Sequence, residues 1–352
     1  LPRVSTFERS IASANFPNSS AEIVTDIAPS LDLGMAYPCL SRGSVKMARA
    51  KQTPQIKQMT ISQWEAAFPD ENACAAYLVE HRWGDVISCP RCGNVAVKAH
   101  GTLPWHWHCN ACSPSATNYR FSHITGTIFE NTNKPLRDWF RVLHLMLVSK
   151  KGISARQLWR MMDFGSLKTA WYMAHRLRAG MANEDFRKLM GIVEVDETFV
   201  GGKAHNKHWD KRDGGGRGGM GSGKIPVVGA VARKGKVVAR VIETVSGDIL
   251  RSFVRGAVSE KVSLLVTDEW VGYRGLDTDY PHHVIRHTSG QYVVGAIHTN
   301  TIEGFWSIFK RGVVGTFHKV SAKYLPLYVA EFQFRYNNRD NVDIFGEAIS
   351  GC

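Results

Sequence analysis

Ile192-Val-Glu-Val-Asp196-Glu-Thr-Phe-Val200-Gly-Gly202 is an apolar, β-branched run with carboxylates set into it. Its composition predicts a buried strand. Two similar runs follow, residues 225–233 and 237–244, joined by the turn Arg233-Lys-Gly-Lys236. Further on, the pattern predicts a helix over 248–258, a strand over 262–267 and a short strand around 283–285. A helix carrying Glu303 comes next, then a closing helix over about 322–337 with Pro326 in its first turn or at a kink. Three antiparallel strands, a helix, a parallel strand and flanking helices are the order of an RNase H-like fold. The expected class is therefore α/β, with a mixed five-stranded sheet between helices.

Asp196 and Asp268 (in Leu264-Leu-Val-Thr-Asp-Glu-Trp270) stand in or at the end of such strands. Glu303 opens a stretch with helical spacing, Ile302, Phe305, Trp306 and Phe309. A carboxylate beside a buried strand is costly unless something pairs with it. Three of them in a chain of net charge +13 point to a shared cation and to chemistry on a phosphate backbone. Two hard divalent ions about 4 Å apart need bridging carboxylate oxygens. Asp196, fixed by a central strand, makes the bridge, with Asp268 and Glu303 completing the site. Lys310 lies seven residues beyond Glu303 on the same helix face, where it can grip a DNA phosphate. His298 and Asn300 precede that helix and are secondary candidates. Glu194, Glu197 and Glu269 are rivals, because each shares a strand face or a peptide bond with one of the acids.

The positive balance, with a pI near 9.5, calls for a polyanionic partner, nucleic acid before an anionic membrane surface. No apolar run approaches the roughly 20 residues that span a bilayer. No secretory pattern opens the chain, so a cytoplasmic, nucleoid-associated protein is expected. Of seven cysteines, Cys89, Cys92, Cys109 and Cys112 form two Cys-x-x-Cys knuckles separated by sixteen residues, the spacing of one structural zinc site. Four sulfurs close the shell, so no catalysis is expected there. Cys74 reads as a small buried apolar residue.

Residues 1–57 read as a poorly ordered leader whose basic end, 42–57, either contacts DNA nonspecifically or does nothing. Thr60-Ile-Ser-Gln-Trp-Glu65 carries Ser/Thr cap candidates ahead of a first helix, and 73–81 suggests a second. Residues 129–147 have helical spacing. A helix opening after Gly152, a break at Phe164-Gly-Ser166 and a helix over 167–177 fit either a helix-turn-helix or a plain helical hairpin. The Gly-, Lys- and Arg-rich segment 201–224 nearly matches a phosphate-cradling loop. However, Ile225 stands where the metal-binding hydroxyl belongs, and a strand follows in place of a helix. A basic hairpin lying along DNA phosphates fits better, with a plain flexible connection as the alternative.

Several motifs occur together along the chain: Cys89-Pro-x-Cys92-Gly, Trp107-x-Cys109-x-x-Cys112, Thr125-Gly-Thr-Ile128 and Lys151-Gly-Ile-Ser-Ala155. They continue with Val193-Glu-Val-Asp-Glu-Thr198, Gly201-Gly-Lys203, Thr299-Asn-Thr-Ile-Glu-Gly-Phe-Trp306 with Lys310-Arg311, and Glu331-Phe-x-Phe-Arg-Tyr-Asn-Asn-Arg339. From about Ile61 to Asp340 the chain resembles the ISXO-like insertion-sequence transposases. The resemblance implies a DDE-type cut-and-insert enzyme of a bacterial insertion sequence with an RNase H-like core, an N-terminal zinc ribbon, and Mg²⁺ or Mn²⁺ as a pair of ions. It implies Asp196, Asp268 and Glu303 as the triad and Lys310 as the accompanying base. Some relatives carry an Asn in place of the third acid, which keeps Asn300 a rival. Expected partners are the element's terminal inverted repeats and target DNA, bound by a homo-oligomer. The expected organisation is a leader (1–57), helices and zinc ribbon (58–120), a helical region, by one reading a helix-turn-helix (121–188), the catalytic domain (189–340) and a tail (341–352). The alternatives are a nuclease or resolvase with no strand transfer, and a domesticated zinc-ribbon regulator.

Overall fold

The structure is a computed structural model that describes residues 59–112, 119–182, 187–202, 223–285 and 298–352. The leader, including the basic run 42–57, and most of the segment 201–224 lie outside the described residues.

Helix α1 (Ile61–Ala67) begins with a capping box: Thr60 Oγ1 accepts from Gln63 N and the Gln63 side chain accepts from Thr60 N. Helix α2 (Glu71–Trp83) is capped by Asp70. The ribbon follows, three short antiparallel strands, β1 (Val97–Ala99), β2 (His106–Cys109) and β3 (Tyr119–Ser122). Helices α3 (Leu136–Val148), α4 (Ala155–Met162) and α5 (Leu167–Gly180) come next. Helix α3 starts later than the spacing suggests because Pro135 occupies its N-cap, where a missing N–H costs nothing.

Trp64, Phe68, Phe140, Leu143, Leu158 and Leu177 bury together with Ile344 and Phe345 of the final helix, α9 (Ile344–Ser350). The stretch expected as a tail is thus a core helix of the N-terminal layer. Beyond Thr169 no residue of α5 is exposed. A groove-reading helix presents an open face. The side chains of α5 are used in packing, as in a helical hairpin. Cys74 is fully buried, and burial pushes its thiol up to about 12.

The second layer is the sheet, in the order β6-β5-β4-β7-β8: β4 (Ile192–Val200), β5 (Ile225–Ala232), β6 (Val237–Val241), β7 (Leu264–Asp268) and β8 (His282–Ile285). β4, β5 and β6 are antiparallel neighbours, and β7 and β8 add in parallel. This is the RNase H-like topology expected from the order of elements. Helix α6 (Gly247–Ala257) covers one face through Leu250, Phe253 and Val254. Helices α7 (Asn300–Gly312) and α8 (Leu325–Asn337) cover the other through Ile302, Trp306, Phe309, Val329 and Phe332. Pro326 sits in the first turn of α8, where no intrahelical N–H is needed.

The closing motif has a structural explanation. An edge strand exposes unpaired backbone groups. Gln333 Oε1 accepts from Ala239 N, and Asn337 both accepts from and donates to Val237, so α8 closes the free edge of β6. Glu331 is fully buried and takes Arg178 Nε of α5 at 2.7 Å and Arg335 Nη1 at 3.1 Å. This ion network ties the helical layer to the sheet layer. No described helix is long and apolar enough to cross a membrane.

Candidate active site

The parallel register pairs Glu194 with Val266. Two residues further along each strand stand Asp196, in the middle of β4, and Asp268, at the end of β7, on the same face of adjacent strands. Asp196, Glu197 and Asp268 each offer a carboxylate oxygen within 4.8 Å of the others. Burial comes first in pushing the Asp196 carboxyl up to about 6. Asp268 and Glu303 add to the rise, while a backbone hydrogen bond and Lys310 oppose it. Glu197 is pushed up to about 8, again chiefly by burial, with Asp268 and Asp196 contributing against the Tyr273 hydroxyl. Its Oε1 is buried without a hydrogen-bond partner. Desolvated acids repelling one another, one with an orphaned oxygen, fit a divalent cation with oxygen ligands.

Glu303 lies outside that set of three, on the exposed side of α7, where it accepts a hydrogen bond from Thr299 Oγ1 at 2.9 Å. It is nonetheless close enough to act on the charge of Asp196, as is Lys310. The helix comes this near because Gly229 is the β5 partner of Asp196. A Cβ at Gly229 would fall 2.6 Å from Trp306 Cζ2 and 3.2 Å from Ile302 Cδ1.

Glu194 has a different role from that of a metal ligand. It is completely buried, and its carboxylate accepts from Thr301 N (2.8 Å), Ile302 N (3.0 Å), Thr301 Oγ1 (2.8 Å) and Arg233 Nε (2.7 Å). A strand carboxylate thus satisfies the amides at the start of α7, where the helix dipole also favours negative charge. Arg233 Nη2 donates to the His298 carbonyl, fixing the approach to the same helix. His298 Nδ1 lies between the Asn300 amide (3.3 Å) and Glu194 (3.5 Å), and Asn300 is exposed at the helix start. The sequence reading named Glu194 and Glu197 only as rivals. The available signal was the run of three acids within four residues, Glu194, Asp196 and Glu197, on both faces of one strand.

In the ribbon, Cys89 Sγ lies 3.6 Å from Cys112 Sγ, and Cys92 Sγ 3.6 Å from Cys109 Sγ. All four sulfurs fall within 4.8 Å. A tetrahedron with Zn–S of about 2.3 Å has edges of about 3.8 Å, so the four thiols fit one zinc ion without rearrangement.

Residues 188–337 match the ISXO2-like transposase domain, and residues 69–115 match the transposase zinc-ribbon domain. A protein of Halobacterium salinarum described as "Uncharacterized protein in transposable element ISH50" is 31% identical over 280 residues, covering 76% of this chain and 91% of the relative. Two solved structures, the Mos1 strand transfer complex and a pre-cleavage Mos1 transpososome, align at 12% identity with TM-scores of 0.27 and 0.25. They cover 62% and 85% of this chain and 76% and 99% of theirs. At those scores neither bears on fold or chemistry.

Proposed function

We propose that this chain, which belongs to the ISXO2-like transposase family, cuts DNA at the ends of its own insertion sequence and joins the freed 3′-hydroxyls to target DNA. A transposase with a zinc ribbon and a DDE-type domain follows from the membership; strand cleavage and joining at this site is the further step. The observation that carries it is the meeting of Asp196 and Asp268 on one sheet face, under a helix that brings Glu303 and Lys310 to bear on Asp196.

Asp196, Asp268 and Glu303 would hold the divalent ions, Mg²⁺ or Mn²⁺, with Glu197 adding an oxygen beside them. Such ions supply activation of an attacking hydroxyl and stabilisation of the leaving 3′ oxygen. The chain's own residues do the positioning. Glu194 and Arg233 fix the start of α7, and through it the placement of Glu303 beside Asp196. Lys310, two turns on, takes a phosphate oxygen of the DNA. Asn300 and His298 lie at the same helix start, the former open to substrate. On this reading residues 189–340 form the catalytic domain. The ribbon and basic surfaces hold element ends, and the joining complex contains more than one copy of the chain. The net charge of +13 supports a DNA partner.

The test supplies pre-cut element ends, a target plasmid and Mg²⁺ to the full chain. Covalent joining of the two DNAs is the expected result. Cutting of intact ends without joining would instead mark a nuclease or resolvase, and binding with neither reaction a DNA-binding regulator.

A further inference from the structure

Trp270 is the one exposed tryptophan among the described residues, at 41% exposure, whereas Trp64, Trp107, Trp139 and Trp306 are buried. It stands two positions after Asp268, and its backbone N–H donates to Asp268 Oδ1 at 3.1 Å. The chain then turns through a short 3₁₀ segment, Val271–Tyr273. The indole rests on that turn. A Cβ added at Gly272 would lie 2.7 Å from Trp270 Nε1 and 2.9 Å from Cδ1, so glycine leaves the ring its seat. Beside it opens a cleft of about 610 Å³ lined by Trp270, Tyr273, Arg274, His282 and Val284, with Glu269 and Asp277 also on its wall. Arg274 and Val284 are exposed at its rim, and His282 Nε2 is fixed 2.9 Å from Thr267 Oγ1.

We propose that this cleft is a nucleobase site, in which the Trp270 indole stacks on a base withdrawn from the duplex next to the bond that is cut. The inference rests on the DNA-cleavage reading above and deepens it. A flat aromatic face tethered to a carboxylate of the acid cluster, with an arginine at the rim and hydrogen-bonding groups around the wall, matches a nucleotide's three parts: π face, phosphate and polar base edge. Stacking on an aromatic side chain tolerates any base, so the site serves position more than sequence. Withdrawing a base also frees the backbone beside it from duplex geometry, which lets the scissile phosphate settle between Asp196 and Asp268. A second protein chain docking on the exposed indole is the competing occupant. The chain's positive charge and the position beside the acid cluster favour the nucleotide.

The test has two arms. In the first, the full chain is mixed with a single-stranded oligothymidylate carrying one central 2-aminopurine, an arm that requires no cleavage. Binding should quench the probe, and Trp270→Ala should abolish the quenching while Trp270→Phe retains part of it. In the second, duplex element ends are offered with Mg²⁺. Trp270→Ala should slow cleavage by about 5- to 150-fold, the range that loss of one stacked base implies. A mismatch at the withdrawn position should recover most of that loss. Unchanged quenching in Trp270→Ala would overturn the proposal, as would a cleavage defect that no mismatch at any nucleotide near the cut relieves. If the wild-type chain cleaves nothing while Trp270-dependent quenching persists, the cleavage reading fails and the base site stands.

Discussion

The four thiols of the ribbon all come from residues 89–112, in two knuckles that each close within four residues, whereas Asp196 and Asp268 come from strands between which the chain builds β5, β6 and α6. The ribbon's own apolar cluster is small: Cys89, Trp107, Cys109 and Phe121 are its buried members. Two of those four belong to the thiol cluster that would hold zinc, so a metal there would be part of the core. The sheet is different. Apolar layers on both faces hold it together, and they force like-charged carboxylates into proximity whether or not a cation is present. In the ribbon the ion would make the structure; on the sheet the structure makes the ion site. Removing ligands from the two places should therefore fail in opposite ways.

The largest effect is expected at the sheet. Asp196→Ala or Asp268→Ala should cut strand cleavage and joining by well over the ~10- to 100-fold that losing an outer partner of a metal ligand costs. Combining the two should add little, since residues acting as one unit are disabled together. The melting temperature of Asp196→Ala should not fall, because no apolar packing is lost and one repelling charge is gone, and Asp268→Ala should lose no more than its one hydrogen bond to Trp270 N–H. Glu303→Ala should share the defect, while Asn300→Ala should keep most joining activity; the reverse pattern would make Asn300 the third ligand. Unfolding of either aspartate variant would break the contrast with the ribbon.

The second effect runs the other way. Cys92→Ser, or a strong chelator, should release one zinc per chain and open residues 85–120 to limited proteolysis. The sheet should still melt as a unit. Metal analysis that finds no zinc in the purified chain, or a ribbon that resists protease without it, would remove the basis of the comparison.

The difference in assembly also explains what could be read from the sequence. The four ribbon cysteines are a local spacing, so their grouping is legible outright. Strands β4 to β8, the cap before the first helix and the first-turn proline of α8 are likewise local signals, and all are found in the fold. The joint position of Asp196 and Asp268 needs only the parallel pairing that the order of elements implies. Glu194 was not legible. Its acceptor role depends on α7 being laid across the sheet at that point, and nothing in Glu-Val-Asp-Glu separates a buried acceptor from a ligand. The tail was misread for a similar reason: seven helical residues carry too little periodicity to show that Ile344 and Phe345 finish a core begun at Trp64. The burial of α5 depends on contacts with α8 that spacing cannot show.

Glu194 offers the third way to sharpen the contrast, because it is a carboxylate of the site that does belong to the fold. Glu194→Gln removes the buried negative charge that Arg233 Nε meets at 2.7 Å and leaves only a neutral acceptor at the start of α7. Breaking a buried pair from one side costs about 3–5 kcal/mol. Denaturant unfolding should show a loss of that order, in contrast to the aspartate variants. A fully stable Glu194→Gln chain would mean that the start of α7 is held by its apolar face alone.

The smallest effect is expected at Lys310, and it tests whether this cation belongs with the ligands or with the substrate. It sits on the exposed face of α7, near enough to Asp196 to favour its charged form. If Lys310 grips a phosphate, its removal should weaken DNA binding a few-fold and lower the slope of log affinity against log salt by about one. The parent chain should start from a steep dependence, since about three phosphate contacts already imply more than tenfold weaker binding for a threefold rise in salt. Cleavage by Lys310→Ala should be slowed but measurable, and should recover in part at low salt, where the remaining basic groups bind more strongly. Lys310→Arg should preserve binding, because a guanidinium also takes a phosphate oxygen. If instead Lys310→Ala is as inactive as Asp196→Ala at every salt concentration while its DNA affinity is unchanged, the ammonium acts on the reacting atoms themselves, and the site uses a proton donor that the carboxylates do not provide.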